Sequence, residues 1–515
     1  VSNALVPLPV VLPLFAAGIK LAIGPRLART QRGITVGVLA LIVVIAAVLV
    51  HQTDAHGPQT MRPGGWPVPI AVVLVVDRLS ALILLISSVI TLAVVVYAIG
   101  QGSADKDEAT PLAVFHPAYL ALVAGVSDAF VAGDLFNLYV GFEILLTASY
   151  VLITLGGTGA RVRAGMTYIV VSLVSSMIFL IAVGLCYAAT GTLTMAQLAG
   201  RLDALPDGVR LILQLTLLVA FGIKAAVFPL SAWLPDSYPT TPAPVTAVFA
   251  GLLTKVGVYA MIRIQTLLFP GDRLGTLLLV AAALTMLIGV LGAVAQTDIK
   301  RMLSFTLVSH IGYMVFGVGL ATVAGLAGAI FYVAHHITVQ TTLFLVTGLI
   351  ERRGGSTSLT RLGGLARVAP ALAVLFFVPA MNLAGIPPLS GFLGKLGLIQ
   401  AGIAAGTAGA YAMVGVALLT SLLTLYAICW VWNRAFWGER RQVPEPGQVI
   451  EGRRGIGGTA ITAAVPPPAM TGPAWALVAF ATAFTVAAGP MVDYTRRAAA
   501  ELLARAPYIA AVLPS

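Results

Sequence analysis

Fourteen apolar runs organise this chain, near residues 4–22, 34–50, 79–100, 112–132, 135–155, 165–189, 209–230, 242–269, 274–295, 302–321, 324–350, 370–400, 407–432 and 473–490. A helix that spans a bilayer needs roughly 20 apolar residues. The runs therefore predict an all-α, polytopic membrane protein of about fourteen transmembrane helices. Composition points the same way: 59% of the 515 residues are apolar and 10% are charged, against ~25% charged in an average soluble protein. The mean hydropathy is +0.98. A soluble globular enzyme and a disordered chain are both excluded.

Charge sets the expected topology. The first run opens with Val-Ser-Asn and is followed by Lys20, Arg26, Arg29 and Arg32, so it reads as a span rather than a signal peptide. By the positive-inside rule that connection is cytoplasmic and the N-terminus lies outside. With strict alternation, eighteen Lys and Arg fall on the first connection's side and nine on the other. Much of the net charge of +11 is thus topological, and no basic cluster interleaved with aromatics suggests nucleic acid. Residues 493–506 read as an amphipathic surface helix, and the Gly/Pro-rich stretch 442–473 as an irregular cytoplasmic loop. Cys186 and Cys429 lie in apolar runs at no metal or redox spacing, and read as small buried hydrophobes.

Residues 229–234 (PLSAWL) and 388–393 (PLSGFL) nearly repeat, 159 residues and five helices apart. An odd number of helices between copies reverses the sense of crossing, the signature of an inverted repeat. Both copies sit beside helix breakers: Gly222 and Pro229 in the seventh helix, Gly385, Pro387 and Pro388 in the twelfth. Proline removes an N–H and clashes with the preceding turn, so both helices should be interrupted.

The intramembrane charges carry the chemistry. The chain has only six lysines, yet Lys224, Lys255 and Lys395 all fall inside apolar spans. A central charge costs roughly 2.5–3.5 kcal/mol on insertion scales and is functional by default, and a buried lysine can release its proton where arginine cannot. Glu143 is the acid placed squarely within a span; it needs a cationic partner, and Lys224 is the candidate for an ion pair. Asp128, Asp134 and Asp236 lie at turns and read as interfacial. His335 and His336 are adjacent, about 100° apart on a helix, so at most one is expected on a given path. For either, and more so for His310, a helix-packing hydrogen bond is the competing role. No Gly-rich phosphate loop, haem pair, CxxC or nucleophile elbow occurs, so no cofactor, metal or redox chemistry is expected.

The stretches 221–263 (FGIKAAVFPLSAWLPDSYPTTPAPVTAVFAGLLTKVGVYAMIR) and 296–313 (QTDIKRMLSFTLVSHIGY) strongly resemble the proton-antiporter family shared by complex I membrane-arm subunits and Mrp multisubunit cation/proton antiporters. The similarity runs over about 110–400, and length and wording look most like the D-type Mrp subunits. The resemblance implies two inverted five-helix bundles with broken seventh and twelfth helices. It divides the chain into helices one to three (1–110), a first bundle (111–270), a second (271–437) and a loop, last helix and amphipathic tail (438–515). It puts family relay residues on Glu143, Lys224, Lys255 and Lys395. Where relatives often carry a lysine on the eleventh helix, this chain has His335, His336 and Gln340, and His336 stands in as the link.

The resulting expectation is a proton-translocating subunit of a sodium/proton antiporter in a prokaryotic plasma membrane. The implied partners are A-, B-, C-, E-, F- and G-like Mrp subunits, protons and Na+ or K+. The alternative is a non-redox pumping subunit of an NADH:quinone oxidoreductase or membrane-bound hydrogenase. A scaffold role is disfavoured by three separately buried lysines.

Overall fold

The computed structural model describes residues 3–24, 28–68, 71–104, 114–155, 157, 159–439, 449–454, 460–462 and 465–513. Each apolar run coincides with helix: α1 (Leu8–Ile23), α2 (Ala28–His56), α3 (Arg78–Ala104), α4 (Phe115–Val131), α5 (Leu135–Thr154), α6 (Gly159–Thr190), α7 (Asp207–Ala225), α8 (Ala243–Leu268), α9 (Gly275–Val294), α10 (Ile299–Gly319) and α11 (Val323–Gly354). Then come α12, in two halves (Pro370–Ala384 and Ser390–Ala405), α13 (Ala408–Trp437) and α14 (Pro468–Val486), with α15 (Ala488–Ala504) and α16 (Ala506–Val512) after them. Among the described residues eleven helices are long and apolar enough to cross a membrane, and α1, α4 and the first half of α12 are shorter apolar helices. Side-chain caps start several of them: Asp134 accepts from the Asn137 amide, Asp298 from Arg301, Thr322 from Gly325 and Thr407 from Ala410.

Burial sorts the helices. α8, α10 and α11 are enclosed along nearly their whole length, whereas α2, α6, α9, α13 and α14 present broad apolar faces outward. A helix that carries Thr, Gln and His yet is surrounded on every side, as α11 is, holds the polar interior of the molecule.

Both expected breaks occur. α7 ends at Ala225, Ala226 is left-handed at φ 58°, and a cis Phe228–Pro229 bond follows. The first half of α12 ends at Ala384, Gly385 is left-handed at φ 86°, and Pro387–Pro388 is cis. The left-handed residue lies three positions before the repeated proline in each case. The continuations differ: after Pro229 there is one α-helical turn, Leu234–Ser237, and a 3-10 turn, Tyr238–Thr240, whereas α12 resumes for sixteen residues. An unforeseen feature is that α8 contains two π-helical segments, Phe249–Leu253 and Ile264–Leu268.

Several expectations are corrected. Residues 493–504 belong to α15 and Ala506 begins α16; the apolar face of α15 (Tyr494, Ala498, Ala499, Leu502) is buried on α3 and α11 rather than laid on a bilayer surface. Within 442–473, residues 449–454 and 460–462 pair as antiparallel strands and α14 already begins at Pro468; residues 442–448, 455–459 and 463–464, and Lys106, lie outside the described residues. Cys186 is buried but Cys429 is exposed, because it falls on an outward face of α13. Asp128 and Asp134 are buried at the α4–α5 turn, while Asp236 is exposed and pairs with Arg301. Three cations assigned to connections are also interior: Lys20, Lys300 and Arg263.

Candidate functional site

The first cluster gathers around Lys224 in the last turn of α7. Its Nζ donates to Ser176 Oγ of α6 at 3.1 Å and lies 4.7 Å from the centroid of the Phe142 ring of α5. Phe142, Phe179 and Phe221 form an aromatic wall on the same side. A narrow crevice lined by Phe142, Tyr168, Ser172 and Trp233 reaches the lysine. The expected Glu143–Lys224 ion pair is absent among the described residues: Glu143 Oε1 is buried without a hydrogen-bond partner. Phe142 faces Lys224, and its neighbour Glu143 is turned about 100° away around α5.

Lys255 is fully buried in α8, its Nζ bonded to the Ala250 carbonyl at 2.5 Å. The π-helical turn from Phe249 to Leu253 disturbs the i to i−4 ladder at that point, as π segments do. Glycines set how closely α8 packs on both sides. A Cβ at Gly257 would lie 2.7 Å from the Ala225 nitrogen at the end of α7. A Cβ at Gly251 would collide with Thr341 of α11. The helix carrying Lys255 is thereby clamped between the helix of Lys224 and the helix of the histidines.

The second cluster lies between α10, α11 and α12. The His336 ring centroid is 5.1 Å from that of His310, and neither His336 nitrogen has a hydrogen-bond partner among the described residues. His310 Nδ1 meets the Tyr332 hydroxyl at 2.9 Å; which atom donates depends on the tautomer. His335 turns the other way, to Ser390 Oγ at 3.0 Å, and Ser390 donates in turn to Asn382 Oδ1. The two adjacent histidines thus do diverge, one toward α10 and one toward the α12 break. Gln340 donates to the Leu303 carbonyl at 2.7 Å.

Lys395 completes the set. Its Nζ donates to the carbonyls of Ala384 at 2.8 Å and Leu383 at 3.2 Å and to Ser421 Oγ at 3.1 Å, and it lies 5.3 Å from the centroid of the Tyr313 ring. The last carbonyls of a helix lack intrahelical partners and carry partial negative charge, so the α12 break holds a cation. Pro229, Pro387 and Pro388 mark the breaks themselves. Reading the sequence missed Ser176, Tyr332, Ser390, Asn382 and Ser421. Of these, Tyr332 was visible as the residue three and four positions before the two histidines.

The arrangement is a series of buried groups that can each exchange a proton, spaced across three enclosed helices and both broken ones. Comparison with known proteins identifies the family. Residues 132–424 match the model of the NADH:quinone oxidoreductase/Mrp antiporter transmembrane family. The D-type Na(+)/H(+) antiporter subunit of Alkalihalophilus pseudofirmus is 39% identical over 99% of both chains. A chain of the Mrp complex from Dietzia sp. DQ12-45-1b superposes with a TM-score of 0.90 at 34% identity, covering 99% of each. One from a membrane-bound sulfane sulfur reductase, an archaeal respiratory complex, superposes at 0.86 with 26% identity and 99% coverage of each. The chain is a polytopic membrane protein and belongs to the NADH:quinone oxidoreductase/Mrp antiporter family.

Proposed function

We propose that this chain is the proton-translocating, non-enzymatic subunit of a multisubunit sodium/proton antiporter in a prokaryotic plasma membrane, its N-terminus outside. The observation that carries the reading is the row of enclosed proton-exchanging residues: Lys224 in α7, Lys255 in α8, His310 and His336 between α10 and α11, and Lys395 at the α12 break. Two bundles share the work, 111–270 around Lys224 and 271–437 around Lys395, after the N-terminal helices of 1–110 and before the tail of 438–515. Lysine suits such a task because, unlike arginine, it can release its proton. Glu143 acts on Lys224 as a nearby charge rather than as a bonded partner. His336, with both nitrogens free of hydrogen bonds among the described residues, links the bundles in place of the relatives' lysine.

The A. pseudofirmus relative supports sodium as the exchanged ion, and the Dietzia complex supports Mrp-type subunits as partners. A pumping subunit of a respiratory complex has less support, the sulfane sulfur reductase chain being only 26% identical. The test is purification of the native complex, identification of its subunits, and measurement of sodium-dependent proton flux in proteoliposomes. The complex should exchange and the isolated chain should not. Co-purifying redox subunits, or flux from the chain alone, would overturn the reading.

A further inference from the structure

All lysines among the described residues are buried: Lys20, Lys224, Lys255, Lys300 and Lys395. Of the arginines whose burial is described, only Arg263 is. Among the described residues, the readily deprotonated cation is thus kept to the interior and surface positive charge is left to arginine. Lys300 is the member of this set that lies at a mouth of the second bundle. Its Nζ is 2.8 Å from Glu351 Oε2, with the two side chains 9% and 14% exposed. The pair joins the first turn of α10 to the last turn of α11, the end facing the cytoplasm in the topology proposed above.

Polar groups lead from this pair toward the histidines. Ser304 Oγ donates to the Lys300 carbonyl, and the Leu303 carbonyl, three residues further along α10, receives the Gln340 amide. Gln340 Oε1 is buried without a hydrogen-bond partner among the described residues. His336 lies one turn beyond Gln340 on α11 and faces His310, which lies ten residues along α10 from Lys300. That is a rise of about 15 Å on α10. Of the other charges at this end, Arg301 pairs with Asp236, and Asp298 caps α10 and accepts from Thr357. Arg352 and Arg353 share the last turn of α11 with Glu351.

We propose that Glu351 and Lys300 form a proton-loading site at the inner mouth of the second bundle, supplying His310 and His336. The Glu351 carboxylate takes a proton from the aqueous side and the ion pair dissolves. With Glu351 neutral, the Lys300 ammonium releases its proton toward an imidazole nitrogen, which accepts it. The Glu351 carboxyl then returns its proton to the Lys300 amine, the pair re-forms, and one proton has moved inward. A mostly buried ion pair is in itself weak evidence of a stabilising role, and a pair kept only to hold two helices together has no need of a lysine in place of an arginine.

The inference rests on the antiporter reading, and the test separates the two. In membrane vesicles carrying the whole complex, sodium-dependent proton movement and co-purification of the subunits are measured for Glu351→Gln, Glu351→Asp, Lys300→Arg and the double variant Lys300→Met with Glu351→Leu. Glu351→Gln and Lys300→Arg should each lower exchange by roughly tenfold or more, with Glu351→Asp retaining a substantial part. The apolar double variant should assemble and stay inactive. Exchange at the wild-type rate in Lys300→Arg, or recovery of it in the apolar double variant, reduces the pair to a helix staple and overturns the inference. If Glu351→Gln fails to assemble, Lys300→Arg, which keeps the charge pair, decides alone. Absence of sodium-dependent flux in wild-type vesicles overturns the antiporter reading, and this inference with it.

Discussion

Lys395 lies beyond the α12 break, eleven residues after Ala384, yet its ammonium donates back to the Ala384 carbonyl at 2.8 Å. The lysine thus sits at the break although its Cα belongs to the second half-helix. Ser421 donates to the same carbonyl at 3.1 Å. The free end of one half-helix and the charge on the other form a single unit.

That unit can be disturbed without touching a titratable group. A Cβ on Gly385 would meet Lys395 Cδ at 2.9 Å, and its φ of 86° disfavours any side chain. Gly385→Ala should therefore slow exchange in the same direction as Lys395→Ala, which is expected to slow turnover rather than abolish it. Flux measured across a pH range checks both. A Lys395→Ala variant indistinguishable from wild type removes this lysine from the path.

Lys224 and Lys255 should be required as proton carriers and not merely as charges. Lys224→Arg and Lys255→Arg ought to be nearly as inactive as the alanine variants, with the complex assembled. Ser176→Ala removes the hydroxyl that receives Lys224. A hydrogen bond to a charged group contributes about 1.5–3 kcal/mol, so a clear fall in rate is expected. Full exchange in the arginine variants would make both lysines structural.

Glu143 lies outside hydrogen-bonding contact with Lys224, so its influence is electrostatic. Glu143→Asp keeps the charge and should retain part of the activity, whereas Glu143→Gln keeps the shape and should lose most of it. A carboxyl that is protonated and only hydrogen-bonded predicts the opposite order. Exchange rates at matched expression decide between them.

Arg263 and Asp77 form a fully buried two-point ion pair, Nη1 to Oδ2 at 2.5 Å and Nη2 to Oδ1 at 2.9 Å, which ties α8 to the start of α3. Tyr508 of α16 covers the guanidinium. Removing one partner leaves an uncompensated buried charge, at a cost of about 3–5 kcal/mol. Asp77→Asn should lower the melting temperature of the purified complex markedly. Asp77→Leu combined with Arg263→Met should recover much of that loss. Equal stability of Asp77→Asn and wild type would contradict the packing described here.

Residue chemistry and spacing alone determined that the chain is helical, how its helices are placed along the sequence, and where two of them break. Apolar length, proline and glycine act locally, so no neighbour is needed to read them. Lys224, Lys255 and Lys395 were legible for the same reason, each being a charge inside an apolar run. Tertiary structure alone decided what meets what. Phe142 rather than Glu143 faces Lys224 because of the rotation of α5, which no pattern in this predominantly apolar helix fixes. Gly251 and Gly257 set the approach of α8 to α11 and α7, and so which titratable groups are neighbours. Lys20, Lys300 and Arg263, close to helix ends, carry the same sequence signal as any topological charge. Whether such a side chain reaches water or turns inward to a carbonyl or a carboxylate depends on the helices packed around it, and that information is not local.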